Sequence, residues 1–273
     1  MGMTAVIEKI NPAKATRILN KNVCNRKLRP GVVERYTLDM KSNNWTECPD
    51  PISFYEDGEL ADGQHRLYAI IESDTVQTFI IVRDLPRAAG LNINVGLIRT
   101  LVDNARISGV NTDLSNRLIA VARAVATGKR NASSNFPTSN ALKLAYIDTY
   151  GEACRWAISN GPTGKRYSHS LVLAAVARAW MHESDKARLV RFGEVVSTGF
   201  MEDDKDSAAV AFRNYLISTS ATGFSHNDVW LDGFYKAQNA IKYFMRRRKL
   251  TIIKSVKEEV YPLPKAATAK KAA

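Results

Sequence analysis

The sequence predicts an α+β protein in which a mixed α/β segment precedes a helical one. Up to about residue 110, helical periodicity alternates with β-branched, apolar runs such as Thr78–Val82. Beyond that point, apolar residues recur at spacings of three and four between capping residues. We therefore divide the chain into a mixed α/β domain, 1–110, an α-helical domain, 111–260, and a disordered basic tail, 261–273.

The elements of the mixed domain follow from local patterns. A proline at the start and an apolar stripe predict an amphipathic helix from Pro30 to about Ser42–Asn44. Two short apolar runs around a polar turn predict a β-hairpin. The predicted elements, in chain order, are a helical patch at Lys14–Lys21, the Pro30 helix, strands at Pro51–Tyr55 and Glu59–Ala61, a helix at Leu67–Glu72 and a buried strand at Thr78–Val82.

Caps divide the second half into seven predicted helices. The first begins at Thr112 or Asp113 and ends at Gly128. The others are predicted over Ser139–Thr149, Glu152–Asn160, Ser168–Met181, Asp185–Thr198, Ser207–Ser218 and Asn227–Arg246. The loop 129–137 reads as an exposed connection. The end of the chain has too little apolar bulk to fold by itself.

Charge and cysteine content narrow the function classes. Lysine and arginine total 39 against 27 acidic residues, for a net charge of +12, which favours an acidic partner such as DNA or a nucleotide. The three cysteines are widely spaced, which indicates neither a disulfide framework nor a zinc site. No signal peptide or membrane span is expected, and we predict a cytoplasmic protein without a membrane partner.

The stretch "GELADGQHRLYAIIES", residues 58–73, places polar residues between a predicted strand and a predicted helix. We call residues Asp62–Arg66 the box. The glycine allows close backbone approach, and His65 and Arg66 offer donors where the helix N-terminus already favours negative charge. The box therefore predicts a phosphate site. The alternative is a structural turn in which Asp62 caps the helix and pairs with Arg66.

The letters D-G-Q-H-R-L resemble the signature box of the ParB/sulfiredoxin superfamily, in which ParB proteins carry G-E-R-R and sulfiredoxins G-C-H-R. The similarity covers about residues 8–110 and is greatest to ParB-like proteins common in bacteriophages and actinobacteria. It implies a ParB/sulfiredoxin-like fold for the mixed domain, a nucleoside triphosphate ligand, with or without Mg²⁺, and a phage or mobile-element origin.

The same resemblance implies a set of site residues. It assigns nucleotide binding to Gly63, Gln64, His65, Arg66, Asn94 and Arg99. Gln64 stands where ParB proteins have Glu and sulfiredoxins have Cys, and Asn94 stands where ParB proteins have a carboxylate that helps to hold magnesium. A glutamine side chain cannot act as a base near neutral pH. Any catalytic role is therefore predicted for Asp62, the carboxylate within the box.

A second candidate site is a basic cluster at the end of the last predicted helix. Its members are Arg246, Arg247, Arg248 and Lys249. Several cations within one turn predict contacts with a nucleic-acid backbone. The alternative is a solvated helix end, where cations complement the dipole. The stretch 159–168 has only a partial likeness to a phosphate loop, and we predict a helix-helix connection there.

Together these features predict a ParB-like, nucleotide-binding, DNA-associated protein. One alternative is an enzyme, either a phosphoryl-transfer enzyme or a nuclease, that uses the box. Another is an interaction scaffold that binds no nucleotide.

Overall fold

A computed structural model describes residues 2–22, 25–93, 99–109, 113–128, 138–219, 227–254, 256 and 259–263, with the backbone alone at 227–230. The protein is of the α+β class, with a small four-stranded mixed sheet, as predicted. The chain forms two compact units. One holds the described residues up to Leu101 together with 138–142, and the other holds the remaining described residues.

The first unit contains four strands and three α-helices. In chain order these are β1 (Thr4–Ile10), α1 (Pro12–Leu19), α2 (Pro30–Lys41), β2 (Ile52–Tyr55), β3 (Leu60–Asp62), α3 (Gln64–Ser73) and β4 (Gln77–Leu85), followed by a 3₁₀ turn at Arg87–Asn92. The predicted Pro30 helix, hairpin, box helix and buried strand are confirmed. The helix α3 begins at Gln64, so the last three residues of the box form its first turn.

The sheet has the strand order β1-β4-β2-β3. The buried strand β4 lies inside the sheet, antiparallel to β1 and parallel to β2, and β3 pairs antiparallel with β2. One face packs against the helices through a continuous apolar cluster. Its fully buried members include Ile10, Ile52, Leu67, Ile70 and Ile81. This packing fixes the junction between β3 and α3 against the middle of the sheet.

The pairing of β2 with β4 is interrupted by a bulge. Ser53 lies opposite Val82, but Tyr55 lies opposite Leu85, so β4 has one residue more than β2 over this stretch. Asp84 adopts a left-handed conformation there, with φ of 62°. Asparagine and aspartate tolerate this conformation better than other residues with a side chain. The bulge therefore changes the direction of the side chains at the end of β4.

Strand β1 was not predicted. It is an edge strand whose side chains are largely exposed, including Ile7 at 76%. Its register with β4 runs from Thr4 opposite Arg83 to Ile10 opposite Gln77. Because β1 pairs along one edge only and packs with one face only, its sequence lacks the strong apolar signal of a central strand.

The second unit is helical. Its helices, of which the first three residues of α6 belong to the first unit, are α4 (Leu101–Ser108), α5 (Asn116–Thr127), α6 (Asn140–Asn160), α7 (Ser170–His182), α8 (Lys186–Thr198), α9 (Ser207–Thr219) and α10 (Asn227–Met245). A short 3₁₀ turn at Asp204–Asp206 precedes α9. The predicted helices that became α5 and α7 to α10 are confirmed, with ends that move by at most four residues. The loop predicted at 129–137 lies outside the described residues.

Three features of these helices differ from the prediction. Helix α4 was not predicted. The side chain of Ser115, not that of Asp113, caps α5 by accepting from the N–H of Leu118 at 3.1 Å, and Thr112 lies outside the described residues. The helices predicted at Ser139–Thr149 and Glu152–Asn160 are one continuous helix, α6. A single interior glycine, Gly151, lowers helix stability by only about 1 kcal/mol, and the helical segments on both sides of it offset this cost.

A buried arginine ties the end of the described chain to the helical unit. Arg178 on α7 donates to the carbonyl oxygens of Val125 at 2.6 Å and Tyr261 at 3.2 Å, and pairs with Glu259 at 3.1 Å. The N–H of Tyr261 donates to Gln238 at 2.8 Å. Packed structure therefore includes Tyr261, the residue at which we placed the start of the tail. Residues 264–273 of the predicted tail lie outside the described residues.

Within the described part of the chain, no helix is both long and apolar enough to cross a membrane.

Candidate functional site

The glycine of the box makes a conformational and a steric contribution. Gly63 joins β3 to α3 with φ of 108°, a region that side chains disfavour. A Cβ at this position would lie 2.9 Å from Ile52 Cγ1 and 3.3 Å from Ile52 Cα. Gly63 is therefore needed for the turn and for the close packing of the helix start on β2.

Asp62 does not cap α3. The N-cap residue is Gly63, and no side chain accepts a hydrogen bond from the first turn. The predicted pairing of Asp62 with Arg66 is confirmed, because Asp62 Oδ2 accepts from Arg66 Nη2 at 3.2 Å. Asp62 lies one turn before Arg66 and is only partly exposed, so its charge is compensated inside the box.

Arg66 connects α3 to the chain that leads into β2. Its Nη1 donates to the carbonyl oxygen of Asp50 at 2.8 Å, and its Nη2 donates to that of Pro51 at 2.7 Å. The side chain is 10% exposed. Charge-assisted hydrogen bonds of this kind contribute about 1.5–3 kcal/mol each when buried. The guanidinium group thus stabilises the entry to β2.

Gln64 and His65 hold the segment that precedes α2. Gln64 Nε2 donates to the carbonyl oxygen of Arg26 at 2.6 Å. The backbone N–H of Arg29 donates to His65 Nε2 at 3.0 Å. His65 Nε2 is therefore an acceptor in this fold, which leaves Nδ1 as the ring nitrogen that can supply the predicted donor. The neutral ring then carries its proton on Nδ1.

The electrostatic environment keeps His65 neutral. Burial is the largest cause that lowers the pKa of this imidazole, and the positive charges of Arg26 and Arg29 lower it further. The carboxylate of Asp62 acts in the opposite direction. Burial disfavours charge of either sign, but the contribution of Arg26 and Arg29 is a positive potential that would favour an anion nearby.

The box forms one wall of a cavity of about 380 Å³, which we call the box cavity. All five box residues line it, together with Arg26, Asp50, Ser53 and the apolar side chains of Val32, Tyr36, Val82, Leu85 and Ile93, with Met3 at its edge. Arg26 is exposed, and within the described residues its side chain forms no ion pair. No local sequence pattern assigns Arg26 to this site, because its proximity depends on the hydrogen bond from Gln64.

Two predicted nucleotide-binding residues remain, and the structure describes one of them, Arg99. Asn94 lies outside the described residues. Arg99 is exposed and is not one of the residues that line the box cavity.

The predicted nucleic-acid cluster forms the end of α10. Arg247 is left-handed with φ of 53°, and the N–H groups of Arg247 and Arg248 donate to the carbonyl oxygens of Phe244 and Tyr243, both at 3.0 Å. This is the hydrogen-bond pattern of a Schellman motif. All four members of the cluster are exposed, and Lys249 pairs with Asp204. The turn therefore presents three arginines, Arg246 to Arg248, to solvent.

Neither a phosphate loop nor a metal site is formed by the described residues. The stretch 159–168 is a connection between α6 and α7, as predicted. Among the described residues, no group of three or more His, Cys, Asp and Glu side chains is arranged to hold a metal ion.

Comparison with known proteins returned no match, since no protein-family model, no curated protein and no solved structure matches this chain. The ParB/sulfiredoxin assignment therefore stays a prediction.

Alanine at Gly63 tests the steric role of the box glycine. Gly58, in the β2–β3 turn, is a matched control because it also has positive φ, of 80°, but has open space where a Cβ would lie. We expect Gly58→Ala to lower the free energy of unfolding by about 1–2 kcal/mol, from the backbone conformation alone. Gly63→Ala should cost about 1–3 kcal/mol more because of the contact with Ile52. Equal losses in urea denaturation would contradict this account.

The buried imidazole predicts a pH-dependent contribution to stability. The pKa of His65 is lower in the folded state than its unfolded value of about 6.5, so the unfolded chain takes up the proton first as pH falls. The contribution is complete above about pH 6.5 and is lost as pH falls through the folded pKa, at up to about 1.4 kcal/mol per pH unit.

The matched variant is His65→Gln, which offers an amide oxygen to the Arg29 N–H but does not titrate. Urea denaturation at pH 7 and pH 5 should show a smaller loss of unfolding free energy in the variant than in the wild type. Contributions from other groups cancel in that comparison. An identical loss in both proteins would exclude His65 as the source.

Proposed function

We propose that the first unit binds the phosphate group of a nucleotide in the box cavity, and that the protein is a ParB-like, DNA-associated protein of the cytoplasm. The observation that carries the proposal is the convergence of positive potential on one small cavity. The N-terminus of α3 opens there, and Arg26 lines it without an ion pair among the described residues. Burial is the largest cause of the lowered pKa of His65, and the positive charges of Arg26 and Arg29 lower it further.

The size and lining of the cavity agree with such a ligand. A volume of about 380 Å³ lies within the range of small-molecule sites. The apolar side chains of Tyr36, Val82 and Leu85 offer a surface for a base or sugar, opposite the polar box. Asp50 and Asp62 also line the cavity, and Arg66 compensates Asp62. Under this proposal the box positions the site, while Arg26 and the first N–H groups of α3 contact the phosphate.

A second candidate function is an interaction scaffold that binds no nucleotide. A specific observation favours it: Gln64 and Arg66 both donate to backbone carbonyl groups of neighbouring segments, and His65 accepts from a backbone N–H. These contacts give each of the three side chains a structural role, so the fold alone explains why they are present. The two functions differ in whether the unpaired Arg26 contributes to nucleotide binding.

Calorimetric titration of the four ribonucleoside triphosphates, with and without Mg²⁺, tests the nucleotide site. Arg26→Gln removes the charge but keeps the backbone carbonyl that accepts from Gln64, so the fold should be retained. We expect one triphosphate to bind the wild type and to bind Arg26→Gln about tenfold more weakly, equivalent to about 1.4 kcal/mol.

Lys27→Gln is the control, because Lys27 is exposed in the same segment and does not line the box cavity. It should bind the nucleotide as the wild type does. If no triphosphate binds the wild type, the nucleotide proposal fails and the scaffold is favoured.

The Schellman turn allows a test of DNA contact that leaves the fold intact. Arg247 occupies a left-handed position that glycine adopts more readily, so Arg247→Gly should keep or raise the free energy of unfolding while removing one positive charge. Fluorescence anisotropy with a labelled duplex, over a range of salt concentrations, should show weaker binding and a salt slope reduced by about one.

Lys165→Gln, at an exposed site in the α6–α7 connection, removes the same charge elsewhere in the helical unit. The DNA proposal requires a larger effect at Arg247 than at Lys165. Equal effects would mean that net charge, not the cluster, determines the affinity.

A further inference from the structure

A second and larger cavity, of about 610 Å³, lies in the first unit beside α1. We call it the α1 cavity. It shares no lining residue with the box cavity. Ile81 and Arg83 of β4 line the α1 cavity, whereas Val82 lines the box cavity, and neighbouring residues of a strand point to opposite faces of the sheet. The two cavities are therefore on opposite faces of β4.

The floor of the α1 cavity is apolar. Ile10, Ile18, Phe54 and Ile81 line it, and Ile10 and Ile81 belong to the core of the unit. A volume of this size with apolar walls is typical of small-molecule sites. The floor therefore suits a ligand with an apolar body.

The α1 side of the cavity carries unpaired positive charge. Lys14 and Arg83 both pair with Glu8, so that carboxylate is already compensated. The hydrogen bond from Lys14, together with the positive charge of Arg83, lowers the pKa of Glu8. Arg17 and Lys21 also line the cavity, and neither forms an ion pair within the described part of the chain. Two cations are thus available to an anionic group.

The β-sheet side carries unpaired negative charge. Glu56 follows β2, and Asp84 is the left-handed residue of the β4 bulge. In a regular strand Arg83 and Asp84 would point to opposite faces, but here both line the same cavity. Asp84 accepts a hydrogen bond from the hydroxyl group of Thr4 at 3.3 Å, and no described cation pairs with it. Bulges that redirect a side chain in this way are frequent at functional sites.

We propose that the α1 cavity binds a small zwitterion with an apolar body, in which an anionic group faces Arg17 and Lys21 and an ammonium group faces Asp84. The apolar body lies on Ile18 and Phe54, the two partly exposed apolar side chains of the floor. A ligand with only one charged group would leave one set of cavity charges without a partner. This site is independent of the proposed nucleotide site, because the two cavities have no residue in common.

Three probes that share an indole ring test this charge arrangement. Tryptophan is the zwitterion, 3-indolepropionate has the anionic group alone, and tryptamine has the ammonium group alone. Saturation-transfer NMR titrations should show at least fivefold tighter binding of tryptophan than of either other probe. Binding of 3-indolepropionate or tryptamine as tight as that of tryptophan would overturn the proposal, as would no binding of any probe.

Two variants locate the binding. Arg17→Gln with Lys21→Gln should reduce the affinity for tryptophan and 3-indolepropionate but not for tryptamine. Asp84→Asn keeps the left-handed conformation and an oxygen for Thr4, and should reduce the affinity for tryptophan and tryptamine only. The control is Lys9→Gln with Lys41→Gln, which removes two exposed charges away from the cavity. Equal losses in the control, or no loss in the cavity variants, would place the binding elsewhere.

Discussion

The first turn of α3 supplies hydrogen-bond partners to backbone groups of two segments that have no regular structure of their own. The segment before α2 is held by Gln64 and His65, and the entry to β2 is held by Arg66. Buried backbone groups without partners cost about 1–3 kcal/mol each. The starts of α2 and β2 therefore depend on three consecutive side chains, which in turn depend on the tight turn at Gly63.

Because these side chains bind backbone groups, few of their hydrogen-bond donors are left for a ligand. A guanidinium group that donates to two carbonyl oxygens and one carboxylate has most of its donors in use, and the His65 nitrogen that faces Arg29 is an acceptor. Under the proposed function, direct contact with the ligand therefore falls to groups that the box positions. Arg26 is the clearest of these, because its carbonyl oxygen is bound to Gln64 while its side chain stays exposed.

The two faces of one small sheet carry different chemical environments. On one face, the box cavity combines a helix N-terminus with a mixed polar and apolar lining. On the other, the α1 cavity has cations on its helical side and carboxylates on its sheet side. The left-handed Asp84 makes this possible, because it directs two consecutive charged residues toward one cavity.

The sequence by itself determined the α+β class, the position of the box between a strand and a helix, and most of the helices from α5 onward. These features depend on periodicity, caps and glycine, which act over a few neighbouring residues. Only the tertiary structure decided that β1 is a strand, that His65 accepts, that Arg66 binds the carbonyl groups of Asp50 and Pro51, and that Arg26 lines the box cavity. Each of these depends on a pairing between segments far apart in the chain, and local sequence patterns carry no information about which distant segment becomes a neighbour.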